Sequence, residues 1–249
     1  MDNSLLISLS QQLAAYRSID VIANNLANAS TPGFKREAAK FEEYVTRVRP
    51  AENQKGPQYL SFVKDAGVVR DLAQGELTPT NAPLDFAING KGFFMVQTPA
   101  GMRYTRDGHF TLDQNGQLVT SDGYPVQGDG GAITINPDDG QISVGPDGTI
   151  SSILNGASNQ IGKLQVVDFP NERAMVKQGA NLYATGQTPA AARNATIAQH
   201  MLEGSNVRPV IEITHMVEVM RAYQATSTLS NSEENLKRQA INKLGSAPN

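Results

Sequence analysis

Three histidines, His109, His200 and His215, are the only imidazoles in the chain. Imidazole is the side chain that most readily binds zinc or moves a proton near neutral pH. Their spacing fits no metal-binding pattern; His215 with Glu218 offers a single ligand pair, short of the set a zinc site needs. No metal site is expected. The run Asp113-Gln114-Asn115-Gly116-Gln117-Leu118 is similar to the start of a calcium loop, but its glycine comes too early and no glutamate closes it, so it reads as a hairpin turn. Gly90-Lys91-Gly92 and the run Gly128 to Gly131 lack the flanking strand and helix that a phosphate cradle requires. The adjacent carboxylates Asp138-Asp139 and Glu233-Glu234 point in different directions, as neighbours on a loop or helix do, and no Gly-x-Ser-x-Gly elbow occurs. The absence of cysteine excludes thiolate nucleophiles, thiolate metal sites and disulfides together. These residues predict no catalytic side chain, no cofactor and no small-molecule substrate.

What remains is architecture. The 249 residues include 39% hydrophobic, 6% aromatic and 18% charged, with no Trp and a net charge of −3. That balance gives no basic footprint for nucleic acid. No apolar run reaches the roughly 18–20 residues that span a bilayer, so no direct membrane insertion is expected. The opening residues carry neither a basic leader nor a cleavable apolar core, and a Sec-type signal is not expected.

A helix is predicted over Asn3 to Asn28. Leu5, Leu9, Leu13, Tyr16, Ile19, Ala23 and Leu26 recur at steps of three and four, with a thinner second set, Ile7, Val21 and Ile22, lying away from that face. Pro32 and Gly33 should stop it, and Phe34 supplies an apolar anchor beyond the stop. Over 36–80 the pattern is mixed: a short helix around Ala38 to Val48, a break at Gly56-Pro57 and a strand at Tyr59 to Val63. From Leu84 to Asp168 short apolar runs alternate with Asn-Gly and Asp-Gly turns at Asn89, Asp107, Asn115, Asp122, Asp129, Asp139, Asp147 and Asn155, the signature of successive hairpins. Ala184 to Asn194 reads as a linker. A long helix comes next, from Pro209 to Leu244, with a stripe of Val210, Ile213, Met216, Val217, Met220 and Tyr223 that shifts phase to Leu229, Leu236, Ala240 and Leu244, before Gly245 and Pro248 end it. The fold class is therefore α+β: N- and C-terminal α-helices forming a coiled-coil-type layer and flanking a central, mainly antiparallel all-β domain. The segments are 1–35, a connecting 36–80, the β domain 81–195, and 196–249.

The run from Asn24 to Arg36, NNLANASTPGFKR, resembles the N-terminal signature of the bacterial flagellar rod and hook axial proteins, carried by Asn24, Asn25, Leu26, Asn28, Thr31, Gly33 and Phe34. Gly75 to Phe94 with Tyr104 to Phe110 is similar to that family's central segment, and Leu202 to Val207 with Met220 to Gln224 to its C-terminal signature. Within the family the proximal-rod member looks nearest and the distal-rod member is the alternative; a secreted β-rich binding module is a third reading. The resemblance implies a structural subunit of the flagellar basal-body rod, spanning the periplasm and delivered by the flagellar type III export apparatus. Its partners would be other rod proteins and copies of itself. It also implies that Leu5, Leu9, Leu13, Tyr16, Ile19 and Leu26 of the first helix are subunit contacts. On the last helix the corresponding residues are Val210, Ile213, Met216, Val217, Met220, Tyr223, Leu229 and Leu236.

Overall fold

The computed structural model describes residues 2–48, 58–136, 140–154 and 157–245. The expected Gly56-Pro57 break, the Asp138-Asp139 pair, the turns at Asp139 and Asn155-Gly156, and Pro248 fall outside them. The chain divides into two compact units, one made of Met1–Ala27, Glu37–Arg70 and Arg208–Asn249, the other of Asn28–Arg36 and Asp71–Val207.

The first unit contains helix α1 (Asp2–Ala27), strands β1 (Glu37–Val48) and β2 (Gln58–Arg70), and helix α2 (Pro209–Gly245). Neither Gly nor Pro interrupts α1. The short helix expected at Ala38 to Val48 is instead β1. Its Ala, Glu and Lys are good helix formers, but Val45, Thr46 and Val48 are β-branched and Phe41 and Tyr44 aromatic, and pairing decides between the two. β1 runs antiparallel to β2 with Tyr44 opposite Phe62, Val45 opposite Ser61 and Thr46 opposite Leu60, interrupted by a bulge near Ala39 and Phe41. The strand expected at Tyr59 to Val63 therefore runs on to Arg70. α1 packs against β1, β2 and α2. It buries Ser8, Val21, Ile22 and Asn25, so that two members of the thinner apolar set, with Ile7 half-buried, and not the main stripe, face inward. Ser10 Oγ accepts the Val63 amide at 3.4 Å, and Arg17 pairs with Asp65 at 3.3 Å.

The second unit is a series of hairpins closed by the turns that the sequence announces. Phe93–Thr98 is its central strand, paired with Gly101–Thr105, Val126–Gly128 and Val166–Asp168, all antiparallel. Two layers of core meet there. One gathers Phe86, Phe94, Val96, Phe110, Leu118, Ile150 and Leu164; the other holds Phe93, Tyr104, Phe169 and Tyr183. Seven of the chain's aromatics lie in these layers, and pairs of them meet edge to face, Phe94 with Phe110 at 5.3 Å and Tyr104 with Phe169 at 4.7 Å, the geometry that ring quadrupoles favour. Part of the expected linker is structured: Ala190–Ala191 pairs with Val167 and Asp168. Beyond it, Thr196–Gln199 and Met201–Glu203 return to pair with Phe86–Asn89 and Leu77–Pro79.

That return brings two backbones into contact at Gly75. A Cβ there would stand 1.9 Å from the Gly204 carbonyl oxygen. Gly75→Ala is expected to destabilise this unit by about 3 kcal/mol through overpacking. Gly131→Ala, where φ is +105° but no neighbouring atom lies within 4 Å, should cost about 1 kcal/mol from backbone strain alone. Urea denaturation of both variants checks the order; equal losses would refute the steric account.

Candidate functional site

Asn25, in the last turn of α1, is fully buried, with its amide committed on both sides. Nδ2 donates to the Glu37 carbonyl at 2.7 Å and to Glu212 Oε2 at 3.0 Å, and Oδ1 accepts the Glu37 amide at 2.9 Å. One side chain thus joins the end of α1, the start of β1 and the first turn of α2. An ionised aspartate has no N–H to give to the Glu37 carbonyl or the Glu212 carboxylate, so it could not replace this amide. Glu212, itself buried, sits in the first turn of α2, where the helix dipole favours a negative charge. Arg70 pairs with Glu37 at 2.8 Å beside this joint.

From Asn28 on, the N-terminal signature belongs to the second unit. The Thr31 amide donates to the Asn28 carbonyl at 3.2 Å, and Thr31 Oγ1 donates to Asn28 Oδ1 at 3.3 Å, closing the turn. Gly33 takes φ +67°, and a Cβ there would meet the Arg106 and Asp107 backbone at 2.4–2.8 Å. Its amide donates to the Glu203 carbonyl at 2.7 Å. Phe34 is buried with the Lys177 ammonium 4.0 Å from its ring centre. The positive φ at Gly33 and the anchor at Phe34 are the ones the sequence predicts. The ionic cluster that begins at the next residue is not.

Lys35, Arg106 and Glu203 are all buried and meet around one carboxylate. Lys35 Nζ donates to Glu203 Oε1 and, at 2.8 Å, to the Ala73 carbonyl. Arg106 donates to Glu203 Oε2 at 3.2 Å and to the Gly90 carbonyl at 2.8 Å, and lies over the Phe93 ring. The Gly75 amide adds a bond to Glu203 Oε1 at 3.0 Å. Burial pushes the Lys35 ammonium and the Arg106 guanidinium below their ordinary ranges, and Glu203 opposes that shift in both. Asn206 completes the joint, accepting the Arg36 amide at 2.7 Å and donating to the Asp71 and Ala73 carbonyls at 2.9 and 3.0 Å. The cluster draws one residue from each of the three sequence blocks that carry the resemblance. Their signal lies in that co-occurrence, since each charge alone reads as surface.

The apolar stripes expected as contacts do not build the first unit's core. Leu13 and Tyr16 are 63% and 61% exposed, Leu5 and Leu9 are exposed, and Ile19 and Leu26 are half-buried. At about 100° per residue, the Leu5-Leu9-Leu13-Tyr16 face points away from Val21, Ile22 and Asn25. On α2, Val210 is 78% and Leu236 65% exposed; Ile213, Val217, Met220, Tyr223 and Leu229 are exposed too, and Met216 is half-buried. Relative to buried Glu212, the residues Ile213, Val217 and Met220 take one flank, and Leu229 and Leu236 the other. Half-buried Val219, Thr226, Ser230 and Lys237 lie between these flanks.

The groups weighed for chemistry sit elsewhere. His109 Nδ1 lies 2.7 Å from Asp85 Oδ1. Asp113 Oδ1 accepts the Asn115 and Gln117 amides at 2.8 and 2.7 Å, so the calcium-like run is a turn whose carboxylate the backbone already occupies. Among the described residues no three His, Asp or Glu side chains are grouped to hold a metal ion.

Three family models match: flagella basal body rod protein over residues 6–35, flagellar hook protein FlgE/F/G D1 domain over 87–152, and flagellar basal body rod FlgEFG protein C-terminal over 198–243. The flagellar basal-body rod protein FlgF of Caulobacter vibrioides is 42% identical over 98% of this chain and 99% of its own. FlgF of Mesorhizobium japonicum is 35% identical over 99% of both chains. The rod protein FlgG of Caulobacter vibrioides is 34% identical over 98% of this chain and 99% of its own.

Removing Glu203 strands two buried cations, whereas removing Lys35 leaves the Arg106–Glu203 pair intact. Glu203→Gln is therefore expected to lose about 3–5 kcal/mol of unfolding free energy, and Lys35→Met distinctly less. Chemical denaturation of the two variants tests this ranking; a larger loss for Lys35→Met would contradict it.

Proposed function

We propose, since this chain belongs to the flagellar basal-body rod protein family, that it is a structural subunit of the FlgF type in the proximal rod of the flagellar basal body. The observation that carries this is the full-length similarity to FlgF, which exceeds that to FlgG of the same organism, 42% against 34%. As a rod subunit it assembles with other rod proteins and with copies of itself. It works as a mechanical element and not as a catalyst, and it reaches its place through the flagellar type III export apparatus.

The exposed helix faces support the assembly reading. A chain that left this much leucine, valine and methionine exposed on both terminal helices would carry an apolar load that soluble monomers avoid. The α1 stripe of Leu5, Leu9, Leu13 and Tyr16 is one contact surface. Ile213, Val217 and Met220 form a second, and Leu229 with Leu236 a third on the opposite flank of α2, so that the helix meets different neighbours along its length. Ile19, Leu26 and Met216 border these surfaces, with Val210 and Tyr223 at the first half of α2. The polar inner face of α2 leaves the helix pair few apolar contacts of its own.

The double variant Leu9→Glu with Leu13→Glu should keep the monomer's stability within about 0.5 kcal/mol, because neither side chain is in its core. Swimming in soft agar should be lost, with no complete hook–basal bodies by electron microscopy. Normal motility would rule these residues out as contacts. Labelled copies located on purified hook–basal bodies separate the FlgF reading, a short proximal band, from the FlgG reading, a longer distal one.

A further inference from the structure

We infer that the Lys35–Glu203–Arg106 cluster is a late-closing latch: it locks the segment 28–36 onto the β unit only after the hairpins have formed. The hairpins close locally, Thr98 meeting Gly101, Leu112 meeting Leu118 and Gly128 meeting Gly131. Such pairings form early because little chain entropy is lost in bringing their strands together. The latch has the opposite character. Lys35 and Glu203 are 168 residues apart in sequence, and Arg106 and Glu203 are 97 apart.

Desolvation sharpens this order. Neither cation gives up water before the carboxylate arrives, because a buried charge without its counter-charge is strongly unfavourable. Glu203 arrives on the strand Met201–Glu203, whose ladder to Leu77–Pro79 is itself a contact between distant parts of the chain. Until then the Gly33 amide lacks its acceptor, the Glu203 carbonyl. The turn after α1 stays undocked while the hairpins beyond it are already native.

This folding order does not depend on what the chain assembles with. Under the export reading proposed above it has a consequence: a chain delivered unfolded keeps 28–36 undocked until residue 203 has joined it. Folding measurements on the isolated chain leave that reading untouched whichever way they fall.

Refolding of the full chain from urea, with pulse-labelled amide exchange read by NMR, separates the two classes of bond. The Gly33 and Gly75 amides, which bond to Glu203, should gain protection roughly tenfold or more later than the hairpin amides of Asp113, Thr120 and Gly123, which bond to Gln117, Tyr124 and Thr120. Simultaneous or earlier protection at Gly33 overturns the latch. In stopped-flow, Glu203→Gln should unfold roughly tenfold faster or more while its refolding rate stays within about twofold, as for a residue absent from the transition state. Refolding slowed in proportion to the lost stability places the cluster in the nucleus and overturns the proposal. Lys35→Met carries the same measurement if Glu203→Gln does not fold, and the exchange experiment needs no variant.

Discussion

One carboxylate draws two cations into the interior of the β unit. Glu203 accepts from Lys35 and Arg106 and from the Gly75 amide, and its own backbone oxygen takes the Gly33 amide. An uncompensated charge at that depth would be prohibitive, so the four segments of chain that meet there are held to an arrangement that pairs both cations with the one carboxylate. Replacement by apolar side chains of similar bulk would fill the same volume, but it would not say which segments belong together. The ionic cluster selects the register of the strand Met201–Glu203 and the seat of the turn after α1.

The same logic operates in neutral form at Asn25. There an amide meets a carboxylate, a carbonyl and an N–H with matching polarity and no net gain of charge beyond Glu212. The two joints lie ten residues apart, Asn25 to Lys35, so one short signature fixes one point in each unit. Sequence blocks that look like separate markers are thereby explained by two places where they meet. The helices between those points and the termini are free to turn their apolar faces outward.

Much of this is legible in the residues. Helix boundaries follow from Pro32, Gly33 and Pro209, and the hairpins from Asn-Gly and Asp-Gly pairs, because turn chemistry acts over a few residues. β1 reads wrongly as a helix because Ala38, Ala39, Lys40, Glu42 and Glu43 favour one locally, while the partner strand that overrules them begins at Gln58. The buried cluster is illegible for a related reason. Charge is normally a sign of exposure, and nothing in Lys35 alone reports that Glu203 waits 168 residues away. The stripes on α1 and α2 are visible as periodicity, but periodicity does not say whether a face turns toward its own core. In α1 the thinner set, Val21 and Ile22, turns inward.

The ribbon of β1 and β2 is a two-stranded sheet of 12 and 13 residues, so among the described residues each strand has an outer edge with no sheet partner. Long exposed edges are templates for promiscuous strand addition, and Tyr44, Val45, Tyr59, Val68 and Val69 make this one tacky as well. Charges interrupt it at short intervals: Lys40, Glu42, Glu43, Arg47, Lys64 and Asp65. Any foreign strand annealing along either edge would have to crowd and desolvate some of these charges, and the bulge near Ala39 further spoils a flat approach. The ribbon thus carries its own safeguard against aggregation while the protein waits unassembled.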